Sequence, residues 1–218
     1  SKQGIPKVPV FTIVTDSIAI NAAWRKAPTD FWIVTDQHTK ESLATHGIAQ
    51  NQIIDIGFPV DPHFADLEPI DAENPIDPLQ ILYFPTPKKP HVRRVSRELL
   101  DATGPNSKLT IVLGKHLRKI HSRAKEIEDQ YPGRVTIKGW TKKVPELLNS
   151  HHLVVGKAGG ATVHESIAAQ CPMLIHHLVP GQEEGNLQLL QHLNAGDFTH
   201  CLSKTERQAR TRNSRSGR

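Results

Sequence analysis

The sequence predicts an α/β fold built on parallel sheets, and three observations carry that prediction. Short aliphatic runs alternate with amphipathic stretches of about 8–15 residues through most of the chain, the pattern of βαβ units. Two consecutive strand-to-helix joins are polar and glycine-bearing: Lys157-Ala158-Gly159-Gly160 and Pro180-Gly181-Gln182-Glu183. Residues 65–77 are rich in Asp, Glu and Pro and read as an exposed linker, which divides the chain into two unequal parts.

Taken in order, the first strand is Val10 to Asp16, with Asp16 at the end where polar residues of α/β proteins reach a cleft. A helix cap is an equally good role for Asp16. Asp30 to Thr35 forms a second strand, followed by a polar helix from Gln37 to His46 that Gly47 stops. Gln52 to Ile56 is the third strand. Beyond the linker, strands are expected at Leu79 to Phe84, Lys108 to Leu113, Arg134 to Gly139, His152 to Gly156 and Pro172 to Leu178. Helices fall at about 91–103, 116–130, 143–150, 160–170 and 186–195. Right-handed crossovers then place helices on both faces of the sheet.

The densest chemistry lies between 153 and 166. A buried-type run, Leu153 to Val155, enters a glycine turn and then an Ala-rich helix, so unpaired amides at the helix start face the sheet edge where anions settle. Thr162 and Glu165 have the spacing of a capping box, a purely structural alternative to ligand binding by Glu165. The second loop, Pro180 to Asn186, follows the next strand, so the two loops are expected side by side on one edge.

Composition narrows the function classes. The net charge of +5 is accounted for by the tail Lys204 to Arg218, which leaves the other 203 residues balanced at 21 basic and 21 acidic. A globular surface for nucleic acid is therefore not indicated. That tail lacks periodicity and apolar residues and reads as disordered. Cys171 and Cys201 supply no disulfide framework, which suits a reducing compartment, and the pairs His151-His152 and His176-His177 lack zinc spacing, so no metal site is expected. There is no apolar stretch of about 18 residues and no signal-peptide pattern.

The motif Lys157-x-Gly159-Gly160-x-Thr162-x-x-Glu165, followed by Pro180-Gly181-Gln182-Glu183-x-x-Asn186, resembles the donor-site signature of family 28 glycosyltransferases. The Pro-Gly-Gln-Glu block is closest to the branch containing monogalactosyldiacylglycerol synthases and processive diacylglycerol glucosyltransferases. The resemblance covers most of residues 10–200 and includes Gly57-x-Pro59-Val60-x-x-x-Phe64, which closes the family's first domain. It implies a GT-B-like, Rossmann-like domain for a nucleotide sugar at 78–203, preceded by the end of an acceptor-side domain at 1–64, with both ends of the chain truncated. It also implies inverting, metal-independent transfer of a hexosyl group from a UDP-sugar to a lipid hydroxyl such as diacylglycerol, at the cytoplasmic membrane surface and without a cofactor. Glu165 then binds the ribose, Gln182, Glu183 and Asn186 face the sugar, and Lys157, Gly159, Gly160, Thr162 and Gly181 shape the donor site. Trp140 occupies a position beside the uracil, or alternatively a partly buried core position.

Two departures stand out. Thr15-Asp16-x-x-x-x-Asn21-x-x-Trp24 has Asn21 where the family has His, and an amide orients a hydroxyl but is no base near neutral pH. The loop Pro85 to Pro90 has no glycine where the family has a phosphate-binding turn, so Lys88, Lys89, Arg93 and Arg94 either supply charge there or, the better reading, form a solvated helix start. A UDP-sugar 2-epimerase of the same architecture and a non-catalytic nucleotide-sugar-binding remnant are the alternative readings.

Overall fold

The computed structural model describes residues 8–70, 78–86, 91–115, 117–181 and 183–199. The C-terminal part of the linker (71–77), Lys88 and Lys89, Gln182, and the tail from 200 onward lie outside the described residues.

The first unit is a three-stranded parallel sheet, in the order β1 (Phe11–Ile13), β2 (Phe31–Val34), β3 (Ile53–Asp55). Helices α1 (Ala22–Lys26) and α2 (Gln37–Thr45) connect the strands. Val14, Trp32, Val34, Leu43 and Ile53 pack together as its core. Asp36 caps α2 by accepting from the Thr39 amide at 2.8 Å, and Gly47 takes the left-handed φ of 90° that the helix stop requires.

The second unit is a six-stranded parallel sheet of β4 (Gln80–Tyr83), β5 (Lys108–Val112), β6 (Val135–Lys138), β7 (Leu153–Lys157), β8 (Met173–His177) and β9 (Gly196–Phe198). The spatial order is β6-β5-β4-β7-β8-β9. Its helices are α3 (Val92–Ala102), α4 (Leu117–Gln130), α5 (Val144–Asn149), α6 (Gly160–Ala168) and α7 (Glu184–His192). Alternation along β4 sends Ile81 and Tyr83 into one core with Val92, Leu100, Ile120 and Ile127 of α3 and α4. It sends Leu82 into the other, with Leu148, Val163 and Leu190 of α5, α6 and α7. A parallel sheet covered on both faces needs strands that are apolar on both sides, and the run Leu153 to Val155 provides one.

Three elements differ from expectation, the first being α1, whose five residues are too few to show a helical period. β1 ends at Ile13 rather than Asp16, because residues 15–19 turn away to lie against the second unit. The short strand β9, Gly-Asp-Phe, has no apolar run to announce it.

The two units meet where the loop after β1 crosses the starts of α6 and α7. A Cβ on Gly160 would lie 2.6 Å from the Thr15 carbonyl oxygen, and one on Gly185 would lie 1.8 Å from that of Ser17. These two glycines are therefore contact surfaces between the units. Gly185→Ala tests this with an unambiguous sign. In an unconstrained helix the change stabilises by up to about 1 kcal/mol, whereas overpacking here should cost about 1–3 kcal/mol. Gly114, with open space around it and no positive φ, is the control, and urea unfolding of both alanine variants checks the difference.

Candidate functional site

Strands β7 and β8 are neighbours, so the two glycine-bearing loops leave the sheet side by side. Above them lies a cleft of about 460 Å³. Lys157, Gly159, Gly160, Glu183 and Asn186 line it from the second unit, and Asp16, Asn21, Ala23 and Trp24 from the first. The pairing register of β7 with β8 shifts by one residue between Gly156 and Lys157. Such a shift re-aims the strand's last side chain, and Lys157 Nζ meets Glu183 Oε1 at 2.5 Å.

Glu183 is only 5% exposed. Its second oxygen accepts from the Val179 amide at 2.9 Å, so one carboxylate fixes both Lys157 and the loop that carries it. Gly181 turns that loop with φ 79°, and its amide donates to Glu184 Oε1 at 2.8 Å. Asn186 is buried, and its amide is used at both ends: Oδ1 accepts from the Ser17 amide at 3.1 Å and Nδ2 donates to the Ala158 carbonyl at 3.0 Å. It therefore ties the two units together at the floor of the cleft.

Helix α6 begins at Gly160 with Gly159 as its N-cap and no side-chain cap. This corrects the capping-box alternative: Thr162 lies inside the first turn and Glu165 in the second, so Glu165 has no cap to reach back to. The first amides of a helix lack intrahelical partners, and Gly159 and Gly160 at this helix start line the cleft. Glu165 stands outside the cleft lining, half-buried, and its carboxylate makes no hydrogen bond or ion pair with another described residue. Burial, and then the charge of nearby Asp61, raise its pKa above the usual carboxylate value.

On the opposite wall Asp16 Oδ2 accepts from the Trp24 indole at 3.1 Å. Asn21, not Asp16, is the helix cap: its Oδ1 accepts from the Ala23 amide at 2.9 Å at the start of α1. Trp140, at the carboxyl end of β6, is 55% exposed, which corrects the core alternative.

The polar contact that sequence reasoning missed is between the units. Ser17 Oγ lies 3.1 Å from His164 Nε2 and 3.3 Å from Thr35 Oγ1, which donates to Asp36 Oδ2 at 2.8 Å. Phe58 stacks on the His164 ring at 4.3 Å and 7°. Ser17 and His164 are 147 residues apart, and no local pattern links them. Burial pushes the His164 imidazole down to about 4, against a smaller upward pull from Asp36.

Two parallel-sheet units with a cleft across their carboxyl edges make the GT-B glycosyltransferase arrangement, and solved structures agree. The glycotransferase of kitacinnamycin aligns at TM-score 0.56 and 13% identity, over 83% of this chain and 45% of that one. The Anabaena protein Alr3699/HepE, crystallised with UDP and glucose, aligns at TM-score 0.51 and 13% identity, over 96% and 62%. In sequence, the family model for monogalactosyldiacylglycerol (MGDG) synthase matches residues 1–60. The chain is 24% identical to the processive diacylglycerol beta-glucosyltransferase of Bacillus cereus strain B4264 over 94% of its length, and 24% identical to that of Bacillus mycoides strain KBAB4 over 91%. It spans about half of these curated relatives, 55% and 53% of their lengths. The resemblance to the diacylglycerol glycosyltransferases read from the two loops is thus borne out, and the fold is GT-B.

The buried histidine makes the junction acid-sensitive. His164 falls from 6.5 to about 4 on folding, so as pH drops below 6.5 the unfolded chain takes up its proton first. Its contribution to stability is complete above pH 6.5 and is lost toward pH 4, by at most about 1.4 kcal/mol per pH unit. His164→Gln, which retains a partner for Ser17, should flatten the fall in unfolding free energy between pH 6.5 and 4.5 by that one-proton slope. Urea titrations of both proteins across this range measure it.

Proposed function

We propose that this chain carries the donor site, and one wall of the acceptor site, of an inverting glycosyltransferase that moves a hexosyl group from a UDP-sugar to a lipid hydroxyl such as that of diacylglycerol. The observation that carries the reading is the cleft in which the uncapped start of α6 and Lys157 from one unit face Asp16 from the other. A sugar diphosphate needs positive potential at its leaving end, and the helix amides with Lys157 supply it. Similarity to the processive diacylglycerol beta-glucosyltransferases supports a lipid acceptor, and with it a working position at the membrane surface. Among the described residues no helix is long and apolar enough to cross a membrane.

In this reading the donor's anomeric carbon lies between Lys157 and Asp16. The acceptor hydroxyl attacks it through an oxocarbenium-like transition state while the UDP oxygen leaves. Asp16, oriented through Oδ2 by the Trp24 indole, takes the hydroxyl proton. Asn21 has its carbonyl oxygen occupied by the helix cap and turns its amide nitrogen to orient that hydroxyl. Glu183 holds Lys157 in place, and Gly181 shapes the loop around the sugar. Glu165 receives the ribose hydroxyls. It has no protein donor among the described residues, and hydrogen bonds from a ligand would offset both its desolvation and the Asp61 charge.

Hydrogen bonds to a charged acceptor contribute about 1.5–3 kcal/mol each. Glu165→Ala should therefore weaken UDP binding at least tenfold by calorimetry while leaving the thermal transition in place. Unchanged affinity would remove the donor site from this edge of the sheet. Transfer from radiolabelled UDP-glucose with and without diacylglycerol then separates lipid glycosylation from simple nucleotide-sugar binding.

A further inference from the structure

The loops after β5 and β6 bring together a cation and an aromatic ring that no local motif joins. Lys115 Nζ lies 5.7 Å from the centroid of the Trp140 ring. Strands β5 and β6 are paired neighbours, and the Leu113 amide still bonds the Lys138 carbonyl at 2.8 Å beyond the last strand residue of β5. The two loops therefore leave the sheet in step. Trp140 is the most exposed large aromatic side chain among the described residues, and Lys115 is exposed and makes no ion pair with another described residue.

Neither group has a structural task that accounts for its placement. More than half of Trp140 is left in contact with solvent, and an exposed cation–π contact is weak. Both stand on the sheet edge that carries the α6 start. From β6 to β7 the sheet steps across β5 and β4, about 14 Å at ordinary strand spacing. An extended nucleoside diphosphate bridges that span, with its base at Trp140 when its phosphates lie at Gly160.

We propose that Lys115 is the residue that selects the nucleobase, by donating a hydrogen bond to a ring carbonyl of a pyrimidine stacked on Trp140. This deepens the donor-site reading and rests on it. Stacking on an indole is indifferent to the base, since every base has a π-face. An ammonium group is not indifferent, because it has three donors and no acceptor. Nζ lies over the ring at 5.7 Å from its centre, and a base that stacks on that face displaces the flexible side chain toward the base's edge. Uracil presents a carbonyl oxygen at its 4-position, whereas cytosine presents an amino group that also donates. A site built to meet an acceptor discriminates against the analogue that lacks it.

The test is calorimetric titration of the chain with UDP and with CDP, alongside the variants Lys115→Met and Trp140→Leu. Both changes lie on the surface, so thermal unfolding near the parent transition confirms that the variants are folded. The expected result is at least tenfold preference of the parent for UDP. Lys115→Met should reduce that preference to within about twofold, chiefly by weakening UDP. Trp140→Leu should weaken UDP and CDP by similar factors. Equal weakening of both nucleotides in Lys115→Met would make Lys115 a general attractor of phosphate and overturn the proposal, as would a variant that keeps the parent's preference. A parent that binds UDP without preferring it over CDP would also overturn it while leaving the donor site standing. A parent that binds neither nucleotide at millimolar concentration would sink the donor-site reading and this inference together.

Discussion

The close approach of the loop after β1 to the starts of α6 and α7 is the constraint on which the rest of the site depends. It exists because Gly160 and Gly185 leave no side chain between backbone and backbone. The contact is polar as well as close. Ser17 donates its amide to Asn186 and shares its hydroxyl with His164 and Thr35, so the groups buried by contact have partners. An unpaired buried polar atom costs about 1–3 kcal/mol, and this network avoids that cost at the junction. The next residue carries the strain. Ile18 has φ 53°, unfavourable for a β-branched side chain, and its amide is held by Thr39 Oγ1 at 2.8 Å.

With Ser17 pinned, the residues on either side of it have little freedom. Asp16 precedes it by one position and is fixed in turn by the Trp24 indole. Asn21 follows a few residues later as the cap of α1. The first unit's contribution to the cleft is thus set from the second unit's helix starts, and the two walls face each other because one serine is shared between them. Phe58, stacked on His164, extends the same junction to the segment between β3 and the linker.

Much of this was legible in the sequence, for identifiable reasons. The parallel second sheet could be read because its central strands β4, β5 and β7 are buried on both faces and α3 and α4 are long enough to show their period. The two loops stood out as glycine-bearing joins on consecutive units, and their adjacency follows from the pairing of β7 with β8. What could not be read depends on distant partners. Asn186 read as a ligand residue and does line the cleft, but no spacing shows that its Oδ1 takes the Ser17 amide of the other unit while its Nδ2 holds the Ala158 carbonyl. Thr162 and Glu165 looked like a capping box, but the helix begins two residues before Thr162. Spacing alone does not say at which residue a helix starts, and here the glycines moved that start. Lys115 carried no signal, because its significance lies in a ring that reaches it through the pairing of β5 with β6.

The Lys157–Glu183 pair shows how the same residues serve structure and chemistry. Glu183 is nearly buried, whereas the Lys157 side chain is about half exposed, at 47%. A pair so placed contributes little net stability, because desolvation of the carboxylate offsets much of the attraction. Its value is positional. The carboxylate also takes the Val179 amide, so the lysine, the loop after β8 and the start of α7 move as one body. A ligand diphosphate approaching the α6 start would meet an ammonium group already oriented rather than one recruited from solvent, and less ordering entropy is then lost on binding. The Lys157 side chain stays in contact with solvent on the cleft side, where such a ligand would meet it, while Glu183 anchors its ammonium to the sheet edge.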